Sequence, residues 1–272
     1  MELLIVYMVC IWALKELLRK VAEGQLSIDE AEKLLRVTAI QEIEDFAKLD
    51  VNRESRNGVP EIILADRKTP EQLVEIALRM LRENGRAIVS RADKQQIEGL
   101  REAIPKDATL AVNEKMGMLV MRNRGSSVRM TGGRIGLLTA GTSDIPIAEE
   151  ARVVAEEMGC EVISAYDVGV AGLHRLFPHL KEMIERKVDV IVAVAGREGA
   201  LPAVVAGLVH LPVIAVPTSI GYGFGEKGIS ALTAMLQSCS LGLAVVNIDG
   251  GVAAGALAAL IANQVAEARA NQ

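Results

Sequence analysis

Polar and apolar positions change their rhythm near Gly133. Beyond it five nearly continuous apolar runs follow one another: RIGLLTA (Arg134 to Ala140), CEVISA (Cys160 to Ala165), VDVIVAVAG (Val188 to Gly196), LPVIAVP (Leu211 to Pro217) and LGLAVVNI (Leu241 to Ile248). Helical patterns separate them. Continuous apolar strands alternating with helices predict a parallel sheet covered on both faces. The expected fold class is therefore α/β, a five-stranded flavodoxin-like three-layer sheet preceded by a smaller N-terminal α/β domain. The last helix, Ala256 to Ala270, is alanine-rich and is expected to close the domain or to pack against a neighbouring subunit.

Upstream the pattern is mixed. Trp12 to Leu35 reads as helical, broken at Gly24, and Ser27-Ile28-Asp29-Glu30 has the form of a capping box that opens a second helix. EIILA (Glu61 to Ala65) and AIVSRA (Ala87 to Ala92) read as strands flanking a helix that starts near Thr69-Pro70. TLAVN and MLVMR pair as a hairpin through Met116-Gly117. The charged stretch Asp50 to Glu61, with Arg53, Arg56 and Gly58, reads as a solvated loop or a lid. A polar, glycine-rich segment, Asn123 to Gly133, marks the boundary, so the domains are expected at residues 1–125 and 126–272.

Composition narrows the partners. With 272 residues, half of them hydrophobic, the chain can bury a sizeable core. A net charge of -5, 3% aromatics and no clustered basic stripe exclude the usual footprint of nucleic-acid binding and favour a small molecule. The surplus of small aliphatic residues points to a homo-oligomer. Cys10, Cys160 and Cys239 are too widely spaced for a disulfide framework or a CxxC site, which fits a reducing cytoplasm. The run from Leu3 to Leu14 is too short to span a bilayer and lacks a basic flank, so an internal helix or docking segment is expected rather than a membrane anchor.

The chemistry-bearing clusters sit at the ends of the predicted strands. A parallel sheet brings strand C-termini and the following helix N-termini to one edge, where free backbone N–H groups favour a phosphate. Gly141-Thr142-Ser143-Asp144 stands between the first strand and its helix, although Ser143 or Asp144 could simply cap that helix. Asp167 to Arg175 contains His174 and Arg175, which could bind an anion or carboxylate, although His174 could equally be a packed loop histidine. Glu198 follows the third strand; it could move a proton if partly desolvated, or merely compensate a helix dipole. Thr218, Ser219, Gly221, Tyr222 and Gly223 form a loop open to close backbone approach, or a flexible loop without a ligand. Cys239, in MLQSCS, is placed at a helix C-terminus, where a thiolate is disfavoured. It is either a buried structural cysteine or a nucleophile that a cationic substrate ring would activate.

Seven motifs, FAKLD (Phe46 to Asp50), AGTSDIP (Ala140 to Pro146), DVGVAGLHRL, EGALP (Glu198 to Pro202), PTSIGYG (Pro217 to Gly223), MLQSC and VVNID (Val245 to Asp249), together resemble one family over nearly the whole chain. This is the LarB-type carboxylase/hydrolase of nickel-pincer nucleotide cofactor biosynthesis, itself similar to the aminoimidazole ribonucleotide carboxylase/mutase fold. The resemblance implies carboxylation of the pyridine ring of nicotinic acid adenine dinucleotide at C5 by CO2, or bicarbonate as its source. It also implies hydrolysis of the phosphoanhydride, which releases AMP and pyridinium-3,5-biscarboxylic acid mononucleotide. Cys239 and Glu198 match the family's functional positions as covalent catalyst and proton acceptor, with no organic cofactor. Asp144, Asp167 and Asp249 are candidate Mg2+ contacts for the hydrolytic half. The related fold commonly forms octamers. Arg197, where an apolar residue is usual, and IDGGVAAG, where IDNGFGAG is common, depart from the family pattern.

Two other functions compete. An aminoimidazole ribonucleotide carboxylase or mutase would share the second-domain fold, but the histidine of its Ala-Gly-x-x-x-His-Leu-Pro turn is Ala200 here. A non-catalytic nucleotide-sensing module would keep the phosphate loops and leave Cys239 and Glu198 without a role.

Overall fold

The structure is a computed structural model that describes residues 19–28, 30–31, 41–43, 47–50, 53–221 and 223–271. The run Leu3 to Leu14, with Cys10 in it, and Phe46 and Tyr222 lie outside the described residues. The chain divides into two compact units, Met1–Glu61 and Ile62–Gln272. The boundary expected at residues 125 and 126 falls inside the second unit, in the connection between its two sheets.

In the first unit the predicted capping box forms. Ser27 N donates to Glu30 Oε2 at 2.9 Å and Glu30 N donates to Ser27 Oγ at 3.2 Å. Strands β1 (Gln41–Ile43) and β2 (Ala47–Leu49) pair antiparallel. The stretch Asp50 to Glu61, read from sequence as a loop or lid, contains a short helix, α1 (Arg53–Asn57). Its charges are used locally, since Arg56 pairs with Asp50 and Arg53 reaches Glu61 at 3.0 Å.

The second unit opens with a mixed four-stranded sheet. Strand β3 (Ile62–Leu64) runs parallel to β4 (Arg86–Ser90), and β5 (Ala108–Asn113) and β6 (Met118–Asn123) form the expected hairpin, giving the order β3-β4-β6-β5. Gly117 turns the hairpin at φ 62, and a Cβ there would lie 2.5 Å from the carbonyl of Ala92. Helix α2 (Pro70–Asn84) starts in a capping box made by Thr69 and Gln72 and ends at Gly85 in the left-handed conformation. Helix α3 (Lys94–Ala103), which the hydrophobic pattern did not announce, is capped in the same way by Asp93 and Gln96.

The predicted apolar runs become β7 (Arg134–Thr139), β8 (Glu161–Ala165), β9 (Val190–Ala195), β10 (Val213–Pro217) and β11 (Leu243–Val245), all parallel. Their order, β11-β10-β9-β7-β8, is the flavodoxin-like one. Between them run α4 (Ile145–Glu157), α5 (Leu176–Glu185), α6 (Ala200–Leu208) and α7 (Ile229–Leu236), with α8 (Gly251–Ala270) last. Every residue of β9 is buried because both faces are covered. Ile191, Ala193 and Ala195 share one core with Leu176, Leu180, Leu201, Val205 and Met235 of α5, α6 and α7. The opposite face meets α4 and α8.

Helix α8 closes the domain, as one of the two sequence expectations had it. Gly255 carries no Cβ against Ala151 of α4, where one would meet the carbonyl oxygen at 2.4 Å, so small residues let the two helices touch along their backbones. Its composition would also allow α8 to cross a membrane. Here Ala254, Ala258, Ala259, Ala262 and Ala266 are instead buried in the domain.

Candidate active site

Four polar loops leave the C-terminal edge of the parallel sheet and enclose a cavity of about 440 Å3, a size suited to a small-molecule ligand. The loop after β7 contributes Gly141, Ser143 and Asp144; the loop after β8 contributes Gly169; the loop after β9 contributes Arg197 and Glu198; the loop after β10 contributes Ile220.

Glycines let these loops approach one another. A Cβ on Gly196 would lie 2.3 Å from the carbonyl of Ile220 and 2.6 Å from Thr218 Oγ1, and one on Gly169 would lie 2.5 Å from the carbonyl of Ala140. Arg197 N donates to the Ile220 carbonyl at 3.1 Å, tying the third loop to the fourth. Asp167, Arg197 and Asp249 adopt positive φ at the ends of three strands. Each non-glycine residue held there costs about 1–2 kcal/mol, so backbone strain is concentrated on this edge.

Asp144 organises the floor. It is buried, Thr218 Oγ1 donates to its Oδ1 at 2.8 Å, and Gly141 N donates to its Oδ2 at 2.9 Å. Burial pushes its pKa up, against the opposing hydrogen bonds from Thr218, Gly141 and Gly196. Thr142 and Ser143 are exposed beside it, with Ser143 facing the cavity. Thr218 is fully buried behind the cavity. Ser219 N donates to Asp249 Oδ1 at 2.8 Å, while Asp249 N donates to the Pro217 carbonyl at 2.9 Å.

Other sequence candidates stand apart. Arg175 pairs with Asp167, and His174 is exposed. Neither lines the cavity. Gly221 lies beside Ile220, facing the backbone of Arg197, and Gly223 begins a 3-10 turn. Among the described residues no group of three or more His, Cys, Asp or Glu side chains could hold an ion. Asp144 is engaged by Thr218 and Gly141, Asp167 by Arg175, and Asp249 by Ser219.

Glu198 is exposed at the cavity rim, two residues before α6. Cys239 is also exposed, so it is not the buried structural cysteine weighed above. It lies three residues beyond Leu236, past the helix end rather than on it. Gly199 packs against Ala231, in the first turn of α7, whereas Cys239 follows the opposite end of that helix. Ser240, next to Cys239, donates to the Ala203 carbonyl of α6 at 2.8 Å, and Cys239 does not line the cavity that Glu198 lines.

Sequence reasoning missed two charged residues at this edge. Glu150 of α4 is buried, and its Oε1 accepts from Ser90 Oγ at 3.1 Å and from Arg91 Nε at 3.2 Å, while Oε2 has no partner among the described residues. Arg91 also donates to the carbonyl of Asp249 at 2.5 Å. Arg91 and Glu150 lie 59 residues apart along the chain, so no local pattern could have joined them.

Comparison with known proteins fits this geometry. The AIR carboxylase family model matches residues 134–272, and a LarB/PurE-like N-terminal domain matches residues 40–123. An uncharacterized protein of Methanocaldococcus jannaschii is 46% identical over 253 residues, covering 92% of this chain and 96% of its own length. N5-carboxyaminoimidazole ribonucleotide mutases are more distant and partial. That of Thermotoga maritima is 33% identical over 47% of this chain and 74% of its own length, and that of Methanocaldococcus jannaschii is 36% identical over 46% and 75%. With a PurE-related parallel domain following a LarB-type N-terminal domain, the chain belongs to the AIR carboxylase family as a LarB-type member.

Proposed function

We propose that this protein carboxylates the pyridine ring of nicotinic acid adenine dinucleotide at C5 with CO2 and hydrolyses the phosphoanhydride, giving pyridinium-3,5-biscarboxylic acid mononucleotide and AMP. The observation that carries this reading is the rim of the cavity. Glu198 stands there beside Ala200, which also lines the cavity where the mutase turn has its histidine. Proton transfer at this rim therefore falls to a carboxylate, as ring deprotonation requires.

The chemistry balances without an external oxidant or reductant. A thiolate adds to C4 of the cationic ring, and the displaced π pair settles on the ring nitrogen as a neutral dihydropyridine. Its enamine carbon, C5, then attacks CO2 and forms the new carbon–carbon bond. Glu198 takes the C5 proton, and departure of the thiolate with the C4–S pair restores the pyridinium. In this reading the exposed Ser143 hydroxyl, which lines the cavity, meets a phosphate oxygen.

In this reading Cys239 reaches the ring from a second copy of the chain, because it is exposed and does not line the cavity that Glu198 lines. Apolar side chains surround it for such a contact: Leu208 and Leu236 are exposed, and Leu241 is 93% exposed.

Co-expression of Glu198→Gln and Cys239→Ser chains on different tags, with purification through both, tests the arrangement. Each variant alone should lose ~10²–10⁴ or more of the carboxylation rate. Mixed oligomers should regain about a quarter of wild-type sites, the share that pairs an intact Glu198 with an intact Cys239 from a neighbour. Verified mixed oligomers without activity would place both groups in one chain. A wild-type protein that leaves the dinucleotide uncarboxylated with labelled bicarbonate would remove the reaction itself.

A further inference from the structure

We infer that Arg91, carried by the N-terminal mixed sheet, is a positioning residue for the cavity, because its guanidinium holds the turn that in turn holds the loop after β10. The path is continuous. Arg91 donates to the Asp249 carbonyl at 2.5 Å, the Asp249 carboxylate accepts from Ser219 N at 2.8 Å, and Ser219 precedes Ile220 in the cavity wall. On the other side of Ser219, Thr218 donates to Asp144 at 2.8 Å. One cation from the mixed sheet therefore anchors two of the cavity's loops.

Arg91 is itself held for this task. It sits at φ 60, a left-handed conformation that a non-glycine residue adopts only when its surroundings enforce it. The enforcing contact is the β5–β6 hairpin: Ala92 N donates to the Gly117 carbonyl at 2.9 Å, and Gly117 leaves no room for a Cβ against Ala92. From the parallel domain, Glu150 takes the remaining arm of the guanidinium at 3.2 Å. Glu150 is faced by Arg91 and Ser90 from the end of β4 and by the Asp249 carboxylate from the turn before α8. Without Arg91, two carboxylates would confront each other with Ser90 as the hydrogen-bond donor to Glu150.

The test uses the full-length protein and two independent readings. In Arg91→Met, amide hydrogen exchange at residues 217–221 and 247–250 should quicken, while α2 and α3 keep wild-type protection. That reading needs no substrate, so it stands whether or not the proposed reaction does. In turnover, kcat/KM at pH 8 should fall about tenfold or more, the usual consequence of losing a hydrogen bond to a charged group. The loss should shrink as the pH is lowered and Glu150 takes up a proton. It should shrink at every pH in Arg91→Met/Glu150→Gln, where Glu150 no longer repels Asp249 and only the Asp144 carboxylate still faces it. A merely structural role would produce no such pH limb. Arg91→Lys, which keeps the charge but not both hydrogen bonds, should fall between wild type and Arg91→Met. Wild-type exchange at residues 217–221 in Arg91→Met would overturn the inference. So would a loss of turnover that ignores both pH and Glu150→Gln.

Discussion

At the C-terminal edge of the parallel sheet, polar groups are drawn inward, whereas beyond the far end of α7 apolar groups are left outside. Asp144, Thr218 and Glu150 are buried at the first, and Leu208, Leu236 and Leu241 are exposed at the second, around Cys239. Burying a carboxylate opposes folding unless hydrogen bonds offset it, and exposing leucines forgoes about 1.5–3 kcal/mol each. Neither end is what stability alone would select. In the proposed reading the first is organised for a ligand and the second for contact with another copy of the chain.

The sharpest way to break that comparison is through the cysteines. Cys160 is buried, its Sγ lies 3.1 Å from Asn263 Oδ1, and burial pushes its pKa up to about 11. It therefore stays a thiol at neutral pH. Cys239 is exposed. Carboxylation should be abolished in Cys239→Ser, together with the dihydropyridine-like absorbance expected when the wild type meets NAD. Cys160→Ser should keep turnover within about twofold, at a modest cost in stability. Equal activity in the two variants, followed by labelled bicarbonate incorporation, would erase the distinction.

A smaller effect should come from the surface around the nucleophile. Leu241→Glu places a charge at the centre of the exposed patch without touching the cavity, so assembly should fail before folding does. Light scattering should show a wild-type mass of several chains and a variant mass nearer to one. Carboxylation should fall ~10-fold or more with the lost contacts. A variant with wild-type mass and activity would move the interface elsewhere.

How legible these regions were in the sequence differs for a physical reason. The parallel sheet could be read because a strand covered on both faces must be apolar throughout, and Val190–Ala195 shows that without any partner being known. Helix α3 could have been found from Asp93 and Gln96, a cap whose spacing is local; its apolar stripe of Ile97 and Leu100 is too short to stand out. Glu198 and the loop glycines were legible because strand ends are where a parallel sheet gathers chemistry. The helix C-terminus beside Cys239 was legible too, but not its exposure, which depends on how the loop after α7 packs on the rest of the domain. Nor were Arg91 and Glu150, whose meaning comes from a contact between two sheets.

The smallest effect concerns the cost of the buried carboxylate, and its sign can be worked out. Burial raises the pKa of Glu150 above its ordinary 4.5, against the opposing pulls of Arg91 and Ser90. The folded protein therefore binds the Glu150 proton more tightly than the unfolded chain does. That contribution to stability is fully present below about pH 4.5 and is lost as the pH rises through the folded-state pKa. The substitution Glu150→Gln removes the charge at every pH and offers an amide where Oε2 now lacks a partner among the described residues. Melting of Glu150→Gln should thus exceed wild type by about 2–4 °C at pH 8, and the gap should close towards pH 4. A gap of the same size at both ends would mean that the charge of Glu150 is not what burial opposes, and a lower melting point at pH 8 would mean that Arg91 outweighs burial.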